Sequence, residues 1–286
     1  MVAVHRFFGV EEPVFDPAHG YVTSPLFSPV VLASIRLLLG FYALVTLIFE
    51  LAWDGTHFPQ DLDSYFSYFT HLSYIGLCSY FFAAGVQTLF YAKFGRTSYP
   101  LQYWPKFLQA LHVLLFATIA TLPRLIQASS SLWLWPSCHL ADESSHLAWG
   151  NISVHAMNLV FAILEVFLTN IPPMPWMTLP CNIVFLAGYL GVAYITYGTQ
   201  GFYTYSFLDP VKQGPYLAAY IVGIAVGEII IFSIIRGLII LRVRLCQRLR
   251  KTAPYEDKVR ERSSPEVEQC ELGPVASREK KSMSLV

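Results

Sequence analysis

The chain has 286 residues, of which 55% are hydrophobic and 13% charged, and its formal net charge is zero. A mean hydropathy of +0.47 is more than a soluble domain of this length carries without exposing apolar surface, so a water-soluble catalytic domain is excluded. A GxGxxG turn, a Walker loop and a basic groove with interleaved aromatics are all missing from the sequence, which leaves nucleotide and nucleic-acid binding without support.

Residues 1–29 hold no apolar run suited to a signal peptide, so the first span is expected to direct insertion itself, with no cleaved leader. Apolar runs of about 20 residues then recur, the length that crosses roughly 30 Å of hydrocarbon. In order they are Val31 to Trp53, Tyr65 to Ala92, Phe107 to Gln127, Ile152 to Asn170, Met177 to Tyr197 and Tyr216 to Leu241. The runs are continuous and do not alternate in period two, which favours helices over a closed barrel, because a lipid-exposed helix satisfies its own backbone. The expected architecture is an all-α membrane protein, a bundle of about six transmembrane helices. Pro123 and Pro180 are expected at kinks or boundaries.

Orientation follows from Lys and Arg. With both termini cytosolic, Arg6, Arg36, Lys93, Arg96, Lys106 and every basic residue from Arg236 onward share one side, while Arg124 and Lys212 fall on the other. The exoplasmic loops then carry Asp54, Asp61, Asp63, Asp142, Glu143 and Asp209. Three regions result: a cytosolic N-terminal segment (1–30), a six-helix transmembrane domain (31–245) and a cytosolic tail (246–286). The tail is rich in Arg, Lys, Glu and Ser and poor in core-forming residues, so it reads as disordered. Its start, Arg242 to Lys251, is a juxtamembrane basic cluster that suits anionic lipid as well as it suits topology.

The five cysteines, Cys78, Cys138, Cys181, Cys246 and Cys270, form no CxxC and no pairable framework. Cys246 beside the last span is a candidate palmitoylation position, with an inert thiol as the simpler reading. The sequon Asn151-Ile152-Ser153 lies at the membrane entry, where a glycan is hard to attach, and is read as chance.

Polar residues inside spans are where function is sought, because each is costly in hydrocarbon unless it faces the bundle interior. The second span holds Ser67, Thr70, His71 and Ser73; the fourth holds His155, Asn158 and Glu165; Gln109, His112, Asn182 and Glu228 lie in the others. Spans two and four enter from the same face, so Thr70 and His155 each lie one to two turns in, about 6 to 9 Å deep, and share a level. Glu165 follows His155 by ten positions, on the same stripe but about 15 Å deeper, and cannot touch it. Asn158, one turn below His155, is the nearer candidate to orient the ring.

Three pieces, FTHLSYIGL in span two, the Asn151, His155 and Glu165 spacing in span four, and GTQGFYTYSFLDP after span five, resemble the androgen-induced and ADTRP-like family of multi-pass membrane proteins. The resemblance covers about residues 31 to 241 and neither tail. It implies a transmembrane hydrolase of fatty-acid esters of hydroxy fatty acids, with Thr70 as nucleophile and His155 as base. This chain departs from some relatives at Asn151-Ile152, where they have Asn-His, at Ser206, where relatives can have Pro, and in its longer tail. A threonine hydroxyl needs an adjacent imidazole to take its proton and return it to the leaving alcohol. The ester oxygen needs donors, for which Asn151, Asn158, Ser73 and, less favoured, Tyr205 are the candidates, with Glu165 in a supporting role. No cofactor and no metal are implied; the partners expected are the lipid ester and membrane lipids, in the endoplasmic reticulum or another endomembrane rather than the plasma membrane.

Two other readings compete. His57, His71, His139, His146 and His155 lie on or near one side and raise a metal-dependent hydrolase, although no HExxH spacing occurs. A transporter, channel or lipid-binding scaffold is the non-enzymatic reading, without an evident inverted repeat or pair of broken helices to support transport.

Overall fold

A computed structural model describes residues 4–10, 13–134, 149–150 and 152–252. Six principal helices run through it: α1 (Pro29–His57), α2 (Phe69–Lys93), α3 (Lys106–Leu134), α4 (Ile152–Leu168), α5 (Thr178–Gln200) and α6 (Tyr216–Thr252). No strand occurs among the described residues.

Five of the helices are long and apolar enough to cross a membrane. The expected fourth span is shorter than its apolar run suggested. Its helix stops at Leu168 and not at Asn170, and 17 residues rise only about 25 Å. The run continues into Ile171-Pro172-Pro173, and proline cannot extend a helix. Residues Ile152–Met157 form a π-helical turn before the regular α-helix Asn158–Leu168 begins. Pro123 sits inside α3, and Pro180 falls in the first turn of α5, where its missing N–H costs nothing.

Local chemistry sets several ends. Ser28 caps α1 by accepting from Val31 N–H at 3.4 Å, with Pro29 as the first helical residue. Helix α5 closes on Gly201 at φ +79°, whose N–H donates to Tyr197 C=O at 2.9 Å.

Helices α1 and α2 pack antiparallel. Gly85 makes this contact close: a Cβ there would stand 2.8 Å from Leu37 Cδ2. The core around them is rich in aromatics, with Tyr74, Tyr80 and Phe81 of α2 and Phe116 of α3 fully buried or nearly so.

At the centre of α1, α2 and α4 lies a charged pair. Arg36, which topology alone had placed with the cytosolic cations, is 0% exposed and forms an ion pair with Glu165 through Nη2 and a further bond from Nε at 3.2 Å. Its Nη1 donates to Tyr21 C=O at 2.8 Å and to the Thr88 hydroxyl. Tyr80 donates to Glu165 Oε1 at 2.7 Å. Burying two charges is expensive, and the cost is met here because both are paired and their remaining hydrogen-bonding capacity is used.

The N-terminal segment is a built part of this end of the bundle. Phe15, Tyr21 and Val22 are buried. The Asp16 carboxylate accepts from Gly20 N–H (2.8 Å), Tyr21 N–H (3.0 Å) and the Tyr99 hydroxyl (2.7 Å), and Asn170 N–H donates to Thr23 C=O at 2.9 Å. Arg242 of α6 donates to the carbonyls of Val166 and Ile171, so a cation closes the C-terminal end of α4.

Removing Arg36 leaves a buried carboxylate without its counter-charge. Arg36→Ala is expected to destabilise the protein by about 3–5 kcal/mol, and Arg36→Met combined with Glu165→Gln by less. Thermal unfolding of the purified protein in detergent compares the two, and equal losses would refute the pairing.

Candidate functional site

Two contacts fix how α2 lies against α4. Asn158 Nδ2 donates to Ser73 Oγ at 3.4 Å, and two turns deeper Tyr80 donates to Glu165 at 2.7 Å. Each pair is separated by 85 residues in sequence, so the helices run parallel with a constant offset. Thr70 and His155 stand at the same offset in sequence, and the His155 ring comes within electrostatic reach of His71, the residue after Thr70. Helix α1 runs against both, as Tyr42 to Ser153 (2.7 Å) and Arg36 to Glu165 show for α4.

Thr70 is the second residue of α2 and 7% exposed. Most buried helical threonines here return a bond to the carbonyl four residues earlier, as Thr46, Thr88, Thr121, Thr169 and Thr196 do. Thr70 does not, because Phe66 lies in the preceding 3₁₀ turn and not in the helix. Its hydroxyl is left for other work. The first intrahelical bond runs from Leu72 N–H to Tyr68 C=O, so the amides of Phe69, Thr70 and His71 precede it, as at any helix start.

His155 sits in the π turn of α4 and is half-buried. A π turn places side chains out of phase with the α-helix that follows, and such turns recur at functional sites. The His155 ring lies within electrostatic reach of His71 on α2. His71 is itself fixed: its Nδ1 bonds Tyr65 C=O at 2.7 Å and its ring stacks on Tyr65 at 3.9 Å. That bond places the proton on Nδ1 and leaves Nε2 a free lone pair. The Tyr65 hydroxyl continues the chain to Glu50 at 2.8 Å.

Of the expected oxyanion donors, Ser73 and Asn158 are brought together, and Ser73 also donates to Thr70 C=O at 2.9 Å. Asn158 Oδ1 is buried without a partner. Asn151 lies outside the described residues. Tyr205, less favoured from sequence, also comes to the nucleophile candidate. Its buried hydroxyl approaches those of Thr70 and Tyr189 without meeting hydrogen-bond geometry with either. Burial pushes the Tyr205 phenol above its ordinary value, so it remains an O–H donor at neutral pH. Glu165 does not approach this group of residues, since Arg36 and Tyr80 occupy it; it acts through helix register.

Sequence reading missed Tyr189. It sits in an apolar run with nothing to mark it, yet its hydroxyl donates to Ser67 C=O at 2.9 Å and lies 3.1 Å from Thr204, holding the α5–α6 loop over the start of α2. It also lines a cavity of about 290 Å³ between α2, α3 and α5, together with Phe69, Ser73 and Gly76 of α2, Thr118 of α3 and Phe185 of α5. The lining contains no charged side chain. Phe185 is 48% exposed, so the cavity reaches the outer face of the bundle.

Among the described residues no group of three or more His, Cys, Asp or Glu stands close enough to hold a metal ion. His57 bonds Trp53 C=O at 3.1 Å and stacks on the Trp53 ring; His139 and His146 lie outside the described residues. A separate buried cluster joins α3, α5 and α6, where Glu228 accepts from Thr121 (2.7 Å) and Asn182 (2.9 Å) and ties the three helices together.

The 85-residue register has a direct test. In a chain whose native cysteines are replaced, Thr70→Cys and His155→Cys are expected to be joined by a short bifunctional thiol reagent, while Thr70→Cys and Glu165→Cys, about 15 Å apart in level, are not. Mass spectrometry reads the linkage, and the reverse preference would refute the parallel alignment.

The comparisons with known proteins agree with the motifs over part of the chain. No curated protein and no solved structure matches. Residues 138–238 match the model of a family described as FAR-17a/AIG1-like protein, the family of androgen-induced and ADTRP-like proteins; the match takes in His155, Asn158, Glu165 and Tyr205, and α2 with Thr70 lies outside it.

Proposed function

We propose that this multi-pass membrane protein is a lipid esterase that cleaves fatty-acid esters of hydroxy fatty acids with Thr70 as nucleophile and His155 as general base. What supports the reading is the parallel register of α2 and α4, set by the Ser73–Asn158 and Tyr80–Glu165 contacts about one turn and more below Thr70 and His155, beside an uncharged cavity open to the outer face. The family match over residues 138–238 supports it from the side of α4.

The chemistry balances with these groups alone. His155 takes the Thr70 hydroxyl proton as Oγ attacks the ester carbonyl carbon. The C–O bond to the hydroxy fatty acid then breaks, and the imidazolium returns the proton to the departing alkoxide. Water, deprotonated by the same imidazole, attacks the acyl-threonine; the bond from the acyl carbon to Oγ breaks, the imidazolium returns its proton to Oγ, and the fatty acid leaves with Thr70 restored. The carbonyl oxygen becomes negative twice. The Tyr205 hydroxyl is the donor proposed to meet it, because it is buried, protonated and without another partner. Ser73 and Asn158 set the spacing of the two helices at this depth. The distribution of Lys and Arg supports a cytosolic position for both termini, and an endomembrane is the proposed location.

Thr70→Ala and His155→Ala, each purified and shown to unfold at the wild-type temperature, are expected to lose hydrolysis of a fluorogenic long-chain ester by at least about 100-fold. Turnover retained in either variant removes the pair from consideration. Tyr205→Phe is expected to lower kcat by about 100-fold, the scale of one oxyanion donor, with KM little changed; a change in KM alone would assign Tyr205 to binding.

A further inference from the structure

We infer that the cavity between α2, α3 and α5 seats one acyl chain of the ester, and that Gly76 sets how long a chain it accepts. This rests on the esterase reading and adds to it the place and limit of the substrate's chain.

The cavity has a direction. Its α2 wall runs from Phe69, the residue before Thr70, to Gly76, and its α5 wall from Val192 to Phe185. Each wall spans seven residues, about 10 Å of helix rise. The two agree, so the cavity is a slot that starts beside the candidate nucleophile and extends about 10 Å along the helices. Its sides are Leu72, Ile119, Leu122 and other apolar groups, and its polar lining is confined to hydroxyls. Charged headgroups, sugars and ions find no counter-charge in such a slot, whereas a hydrocarbon chain needs none. Ser73 links the slot to the site, since it lines the cavity and accepts from Asn158 on the His155 helix.

Gly76 is the residue that packing does not explain. A glycine inside a helix costs roughly 1 kcal/mol relative to alanine. At Gly85 close approach of Leu37 repays this, but a Cβ on Gly76 would meet nothing within 4 Å. Gly188, Gly191, Gly198, Gly223 and Gly237 are equally uncrowded, but they are exposed on outer helix faces, whereas Gly76 is half-buried and opens into the cavity at the end away from Thr70. A side chain there would fill the far end of the slot. Glycine keeps it open.

The experiment pairs turnover with binding in the full-length protein in lipid nanodiscs. Hydrolysis is measured across esters of increasing acyl length for wild type, Gly76→Leu and the exposed control Gly188→Leu, and binding of a spin-labelled long-chain fatty acid is measured in parallel. Gly76→Leu is expected to lose long-chain turnover by at least tenfold relative to short-chain turnover, and to release the spin-labelled acid, while Gly188→Leu matches wild type. An unchanged length profile with unchanged probe binding overturns the inference and leaves the esterase standing. Uniform loss across all lengths also overturns it, because Gly76 would then act on the fold. If wild type cleaves no ester yet Gly76→Leu still expels the probe, the acyl cavity stands and the esterase falls.

Discussion

Everything at the candidate site depends on the buried pair of Arg36 and Glu165. A cation on α1 and a carboxylate on α4 meet where neither has water, and Tyr80 of α2 closes on the same carboxylate. An ion pair in hydrocarbon tolerates little sliding, because a displacement of one helical turn would leave two bare charges. Three helices are therefore locked in axial register at one depth, and every level above it follows. Toward the start of α2 that register is the basis of the proposed pairing of Thr70 with His155.

Upward from the pair, packing becomes more polar and less satisfied. Tyr80 and Glu165 are fully engaged; Ser73 and Asn158 share one long bond with an amide oxygen left over; the buried Tyr205 hydroxyl has no hydrogen-bond partner among the described residues. Buried polar groups that lack partners are costly and are kept where a ligand supplies them. The gradient has the form of a rigid base carrying an unsaturated site, as a reaction at the mouth of a lipid-facing slot requires. The loop after α5 adds Tyr205 from above, held by Tyr189 and Thr204.

Much of this was legible in the residues. The apolar runs located the helices, and the same-face entry of spans two and four agrees with the parallel run of α2 and α4. Other features were not. Arg36 read as a topology signal, since a positive charge near a helix end has that meaning in most chains; only the opposing Glu165 turns it into a core residue. The N-terminal segment read as a cytosolic stretch, because Phe15, Tyr21 and Asp16 have no helical period and are buried through long-range contacts with Tyr99 and Arg36. The fourth span read two residues too long, because hydropathy does not register that the backbone leaves the helix after Leu168.

By itself the sequence determined the class of solvent this protein meets, the number and order of its apolar segments, and the pair of side chains worth watching, because hydropathy and period are properties of neighbouring residues. Which hydroxyl stands beside Thr70, where the slot lies, and which charges face each other were decided only by tertiary structure. Those depend on the rotation and offset of helices 85 or 129 residues apart, and no local pattern encodes the angle at which two distant helices meet.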